Sequence, residues 1–196
     1  MIALSFSGGK DSCLALYHLQ KKGAHVGCLF TTVWKEDGRT VAHHESLHVL
    51  QKQATRLRLP IHFVYTTFDT YRDDLISMLK KLKEEYSLTG VAFGDWFIEG
   101  HREWNEACAK EVGLKAHFPL WKPEANMEKE LEAFLSLGFQ ATIVKVDEEK
   151  LSKKWVGRPL DRSFINELRK NPSLCPMGEH GEYHTTVTDG PIFLET

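Results

Sequence analysis

The chain has no run of apolar residues long enough to span a bilayer, so no membrane-spanning helix is expected within it. It has only four cysteines, Cys13, Cys28, Cys108 and Cys175, and no two of them stand as Cys-x-x-Cys. That spacing leaves no zinc ribbon and no thioredoxin-type pair. A disulfide framework is not expected in a chain of this size without a secretion signal, so the thiols are expected to be buried and reduced. Charge of one sign is also missing: 25 Lys plus Arg face 27 Asp plus Glu, a formal net charge of -2. Such a balance gives no global attraction to nucleic acid or to an anionic membrane. Internal repeats and low-complexity segments are absent. Met1 to Phe6 is apolar for only a few residues before it meets glycines, so it does not read as a signal peptide. A cytoplasmic location is therefore expected.

What is present is an ordinary globular composition, 42% apolar and 27% charged over 196 residues, which rules out wholesale disorder. The length allows one large core, or one core with a small appendage. Ile2 to Phe6 is a short apolar run ending in glycines and reads as a buried strand. An amphipathic helix follows, stopped near Gly23, and His25 to Val33 reads as a second strand. His43 to Leu59 carries Leu47, Leu50, Ala54 and Leu57 at helical spacing and is closed by Pro60. Ile61 to Tyr65, Gly90 to Gly94 and Lys115 to Phe118 read as further strands. Helices are expected between them, over Tyr71 to Tyr86 and His101 to Val112. Five alternations of strand and helix predict an α/β fold, a doubly wound parallel five-stranded sheet with helices on both faces. Ligands then sit at the carboxyl ends of the strands.

After Lys122 the rhythm changes. Helices over Met127 to Leu137 and Asp161 to Lys170 are expected, with strands at Gln140 to Val146, Tyr183 to Val187 and Ile192 to Leu194. The expected division is a nucleotide-binding domain over 1–122 and a smaller C-terminal α+β part over 123–196.

Ser7-Gly8-Gly9-Lys10-Asp11-Ser12 lies between the first strand and the first helix. The two glycines permit a tight turn that presents consecutive N–H groups, and the helix N-terminus adds positive partial charge. Ser7 and Ser12 can donate to phosphate oxygens, Lys10 brings a full charge, and Asp11 suits a metal ion or a loop-orienting role. The spacing fits neither Gly-x4-Gly-Lys-Ser/Thr nor Gly-x-Gly-x-x-Gly. It resembles the PP-loop of the ATP pyrophosphatase superfamily, whose members split ATP between the α and β phosphates.

The second dense cluster is Gly178-Glu179-His180-Gly181-Glu182-Tyr183-His184-Thr185. Its two carboxylates can hold a cation, bind an amine or act as a base, or can be solvated acids on a polar hairpin. Together with the loop, this segment resembles the diphthine–ammonia ligase family. Matches in chain order include His44, Gln53-Ala54, Gly94-Asp95, Arg102, Pro119-Leu120-Trp121 and Gly157-Arg158. The chain departs from the family at Leu174-Cys175-Pro176-Met177 and at Trp96.

The resemblance implies an ATP-dependent, AMP-forming amide ligase: a carboxylate is adenylated, then ammonia displaces AMP. ATP and Mg2+ are the expected cofactors. Lys10, Asp11, Glu179, Glu182 and His184 are the candidate catalytic residues. Ser7 to Ser12, His44, Gly94 and Asp95 are expected at the nucleotide, with Asp11 and Asp95 at the metal. Arg102, Trp121, Arg158, Gly178, Glu179, Gly181, Glu182 and Thr185 are expected at the acyl substrate. The implied partners are ATP, ammonium and a carboxylate, with diphthine on elongation factor 2 as the substrate where diphthamide is made. No membrane or nucleic-acid partner is expected, and a homo-oligomer is left open.

Three rivals share the loop: a PAPS-reductase-like enzyme, a tRNA-modifying enzyme and a nucleotide-binding module without chemistry. The first needs a redox cysteine in a Glu-Cys-Gly-type tail, the second a basic surface or RNA-binding extension. His44-Glu45-Ser46-Leu47-His48 also matches the His-Glu-x-x-His zinc string. In a chain with ten histidines chance matches are common, and no third ligand follows.

Overall fold

In the computed structural model, which describes residues 1–194, the apolar runs become the strands of one parallel sheet. The chain runs β1 (Ile2–Ser5), α1 (Lys10–Lys21), β2 (Val26–Trp34), α2 (Leu47–Leu57), β3 (Ile61–Thr66), α3 (Tyr71–Tyr86), β4 (Gly90–Ala92), α4 (Glu99–Val112) and β5 (Lys115–His117). The sheet order is β3-β2-β1-β4-β5, all neighbours parallel. The strands are apolar on both faces because both are covered. Leu4, Phe6 and Ala92 pack with Leu14, Leu16 and Leu50 on one side. Ala3, Val91 and Phe93 pack with Leu79, Leu82 and Val112 on the other. The chain winds outward from β1 to β3, then returns to add β4 and β5 on β1's other flank. The reversal opens a crevice between the carboxyl ends of β1 and β4, where this topology places ligands.

The C-terminal part comprises α5 (Met127–Ser136), β6 (Gln140–Val146), a 3-10 turn at Lys153–Trp155, α6 (Arg162–Leu168) and β7 (Tyr183–Asp189). β6 and β7 form a two-stranded antiparallel sheet. Its interior is continuous with that of the parallel sheet: Phe134, Ile143, Trp155, Phe164 and Tyr183 share one buried cluster with Leu4, Phe6 and Leu14. Stacked Phe134 and Phe139 rings lie 4.7 Å apart, and Phe164 meets Tyr183 edge-on at 4.9 Å. Such pairs add about 0.5–1.5 kcal/mol each beyond area burial. No helix of the described residues is long and apolar enough to cross a membrane.

Three expected elements differ. The helix predicted from His43 starts at Leu47, because Ser46 caps it, accepting from His48 N, and His44 sits at φ 55. The His-Glu-x-x-His string therefore straddles a turn and a helix start, and its histidines do not share a helix face. Glu45 is instead held by Ser46 N and the Thr186 hydroxyl. The strand expected at Ile192 to Leu194 is absent: Gly190 and Pro191 turn the chain, and Leu194 N donates to Arg56 O. β7, in contrast, runs on to Asp189.

Candidate active site

The loop after β1 is built by close approach. Gly8 has φ 76, and a Cβ there would stand 2.3 Å from Gln53 Oε1, so both backbone and space demand glycine. Gly9 caps α1 without a side-chain partner; a Cβ on it would lie 2.3 Å from the His43 ring. The first turn of α1 thus brings the positive end of its dipole to the crevice. Lys10 N donates to Thr185 Oγ1 at 3.1 Å, and Ser12 Oγ donates to Gly9 O at 3.0 Å. Lys10 is only 3% exposed. Its Nζ pairs with Asp11 Oδ2 at 2.7 Å and lies over the Tyr183 ring, 5.1 Å from the centroid. A buried lysine needs such a partner, and here the partner leaves the ammonium at the loop.

Three acids gather beside it. Asp11 Oδ1 accepts from the buried Trp96 Nε1 at 2.9 Å. Asp95 accepts from Asn105 Nδ2 at 3.0 Å, with His101 Nδ1 at 3.7 Å. Burial raises its carboxyl; His101 and Asn105 oppose this, and Asp11 adds to it. Glu179 is pushed up to about 8, first by burial and then by the charge of Asp11, with Lys10 opposing and Asp95 contributing. Negative charge is therefore crowded in a partly dry site, an environment that suits a divalent cation. Among the described residues no three side chains of ligating type close on one point. Mg2+ normally takes one or two carboxylates and completes its shell with phosphate and water, so the pair Asp11 and Asp95 fits it.

Glu182 behaves differently from the expectation that it converges with Glu179 on a ligand. It is 1% exposed, and both oxygens are occupied by its own loop: Oε1 accepts from Cys175 N at 2.9 Å, Oε2 from His180 N at 3.0 Å. A carboxylate buried this deeply needs those donors, and here they fold residues 175–182 into the turn that presents Glu179. Tyr183 tightens the same turn, donating to Pro176 O at 2.6 Å. Gly178, at φ 70, would place a Cβ 3.0 Å from Tyr183 O; Gly181 has φ 77 with open space.

A cavity of about 830 Å3 opens beside the loop at the carboxyl ends of β1, β2 and β4, and Ser7, Thr31, Gly94 and Asp95 are on its wall. Its outer wall is aromatic: Trp34, Tyr71 and Trp104 follow one another at centroid separations of 6.4 and 5.7 Å. A site with a flat apolar chamber at one end and an anion cradle at the other matches the shape of a nucleotide.

Other expected residues are spread more widely. His44 faces outward, with Nε2 3.4 Å from Asp37; its neighbour His43 is the one that covers Gly9. The His43 and His184 rings lie 4.8 Å apart, tilted by 36°, beside the loop. Arg102 lies over Trp121 at 4.8 Å and bonds Glu106 at the rim. Arg158 lies over Trp155, on a segment that bonds to β6 on the edge away from β7. The roles of His43 and Asn105 and the bonds of Gln53 went unremarked in the sequence, and Trp96 stood out there only as a departure from the family pattern. Gln53 could have been found as the polar residue on the apolar face formed by Leu50, Ala54 and Leu57.

The histidine pair predicts an acid-sensitive fold. His43 is lowered from 6.5 to about 3 and His184 to about 4, first by burial, then by His184 and Lys10 for His43 and by Lys145 and Lys10 for His184. The folded state resists protons that the unfolded state accepts below pH 6.5. The stabilisation is full above pH 6.5 and is lost as pH falls through 4 towards 3. Urea midpoints should drop steeply across that window, and the His43→Gln, His184→Gln double variant should flatten the drop.

Comparison with known proteins places the chain in a family. The diphthamide synthase N-terminal domain family matches residues 1–116, and the diphthamide synthase C-terminal domain family matches residues 126–195. Diphthine–ammonia ligase of Bos taurus is 28% identical over 219 residues, covering 98% of this chain and 80% of that protein. The Schizosaccharomyces pombe protein of the same name is 29% identical over 213 residues, covering 95% of this chain and 34% of its own length. Among solved structures, the U34-tRNA thiolase NcsA from Methanococcus maripaludis is 15% identical with a TM-score of 0.43, covering 92% of this chain and 70% of that one. With family matches on both sides of the junction between the parallel sheet and the C-terminal part, the chain belongs to the diphthamide synthase family.

Proposed function

We propose that this chain is an ATP-dependent, AMP-forming ligase that converts a carboxylate to an amide. One observation carries the reading: Ser7, at the head of the loop, and Asp95 stand on the wall of a nucleotide-sized cavity, and Asp95 shares its electrostatic surroundings with Asp11, Glu179 and Lys10. The family membership and the bovine relative's name support the same chemistry, with diphthine as the acyl substrate and ammonia as the second. Elongation factor 2 is then the protein that carries it.

ATP lies with its base in the aromatic chamber and its phosphates on the loop. Asp11 and Asp95 would hold Mg2+, which when bound offsets the charge of the phosphates. An oxygen of the substrate carboxylate attacks the α phosphorus, and the bond to the bridging oxygen of the β phosphate breaks. Lys10 and the loop N–H groups stabilise the charge that grows on the departing pyrophosphate. Ammonia's nitrogen then attacks the acyl carbon, AMP leaves, and an amide remains. Glu179, its carboxyl raised to about 8 by burial and by the charge of Asp11, receives the ammonium as carboxylate and takes one of its protons, which leaves the ammonia that attacks. His184, neutral at pH 7, is placed to accept the proton that the attacking nitrogen sheds. Glu182 acts through Glu179 by shaping the turn.

Sulfur transfer, as named for a tRNA-specific 2-thiouridylase of Clostridium botulinum that is 22% identical, asks for a reactive thiolate. All four cysteines are buried, and burial raises each thiol, Cys28 to about 12. The test is direct. Protein incubated with ATP, Mg2+, ammonium and a diphthine-bearing protein should yield AMP and pyrophosphate in equal amounts. ADP with phosphate instead would reject the mechanism.

A further inference from the structure

A glutamine on α2 is tied to the loop by more bonds than its place on a helix face requires. Gln53 is 6% exposed. Its Nε2 donates to Gly8 O at 2.9 Å and to Val187 O at 2.7 Å, while Val187 N donates to the same Gly8 O at 2.9 Å. The amide orientation follows from its partners, since a flip would set Oε1 against two carbonyl oxygens. Three segments, the loop, α2 and β7, are therefore fastened at one carbonyl.

Pinning that carbonyl has a directional effect. The Gly8–Gly9 peptide is trans, as are all peptide bonds of the described residues. In a trans peptide the C=O and N–H point opposite ways. Holding Gly8 O back towards α2 and β7 turns Gly9 N–H forward, into the hollow of the loop. Among the described residues its one partner is Ser7 Oγ at 3.4 Å, at the long limit for such a bond. Gly9 N–H is thus aimed but barely used. We propose that Gln53 is a positioning residue: it holds the Gly8–Gly9 peptide so that Gly9 N–H meets a phosphate oxygen of the nucleotide as negative charge grows there. The proposal rests on the loop binding the nucleotide's phosphates.

The test uses full-length protein labelled with 15N-glycine and an ATP analogue carrying a methylene between its α and β phosphates, with Mg2+. Saturation should shift the Gly9 amide signal of the wild type. Gln53→Met keeps the bulk of the side chain and removes both donors, and should cut that shift to less than about a third. Gln51→Met, exposed on the same helix, should leave it intact. In turnover, Gln53→Met should lower kcat for AMP formation about 100-fold, with KM for ATP within roughly threefold, because the donor acts on developing charge. If Gln53→Met does not fold, Gln53→Glu takes its place with the same readouts. A Gly9 shift equal to wild type in a folded Gln53 variant overturns the proposal. A wild type that shows the Gly9 shift yet makes no AMP would sink the ligase reading and leave this one standing.

Discussion

Lys10→Ala should lower the rate of AMP and pyrophosphate formation by about 100- to 1000-fold, the usual cost of removing one group that stabilises developing charge. The side chain is buried, fixed between Asp11 and the Tyr183 face, and its ammonium is the cation that those contacts hold at the loop. Losing it removes charge where pyrophosphate departs. It also strands Asp11 beside Glu179 and Asp95 without a counter-charge, so the carboxyl of Glu179 should rise further. Stopped assays that separate AMP from ADP would measure the first effect. A loss below about tenfold would take Lys10 out of the chemistry.

The two tail glutamates should respond in opposite ways. Glu182→Ala leaves Cys175 N buried without an acceptor and frees the turn at His180. An orphaned buried N–H costs about 1–3 kcal/mol, and the lost charge-assisted bonds add to it. A thermal midpoint lower by about 5–10 °C is expected for a chain of this length. Glu179→Gln should leave the midpoint within about 2 °C or raise it, because it replaces a buried carboxyl already raised to about 8 by a neutral side chain of the same shape. Its turnover should fall, with the loss read mainly against ammonium. Equal melting temperatures for the two variants would contradict the division of roles between them.

Much of the sheet was legible because a buried parallel strand is a short apolar run bounded by glycine or proline, a signal local to a few residues. The phosphate loop was legible for the same reason: six adjacent residues state its chemistry. What failed to show was long-range. His43 and His44 are adjacent histidines, and only the turn at φ 55 decides which one covers Gly9. Glu179 and Glu182 look equivalent in a string of alternating glycines and acids. Their difference lies in which backbone N–H groups the folded turn aims at each. The expected helix start at His43 missed Ser46, whose capping oxygen fixes the first turn at Leu47, where the apolar spacing itself begins. Ile192 to Leu194 reads as apolar, but no strand edge is offered to it, and propensity without a partner does not make a strand.

The bond from Lys10 N to Thr185 Oγ1 joins residues 175 positions apart. During synthesis at about 5–20 residues per second, the first turn leaves the ribosome roughly ten to thirty seconds before the strand that braces it. In that interval the sheet can assemble and its glycine turn can wander, so a nascent chain has no reason to grip nucleotide early. Competence arrives late and all at once, when the last strand docks.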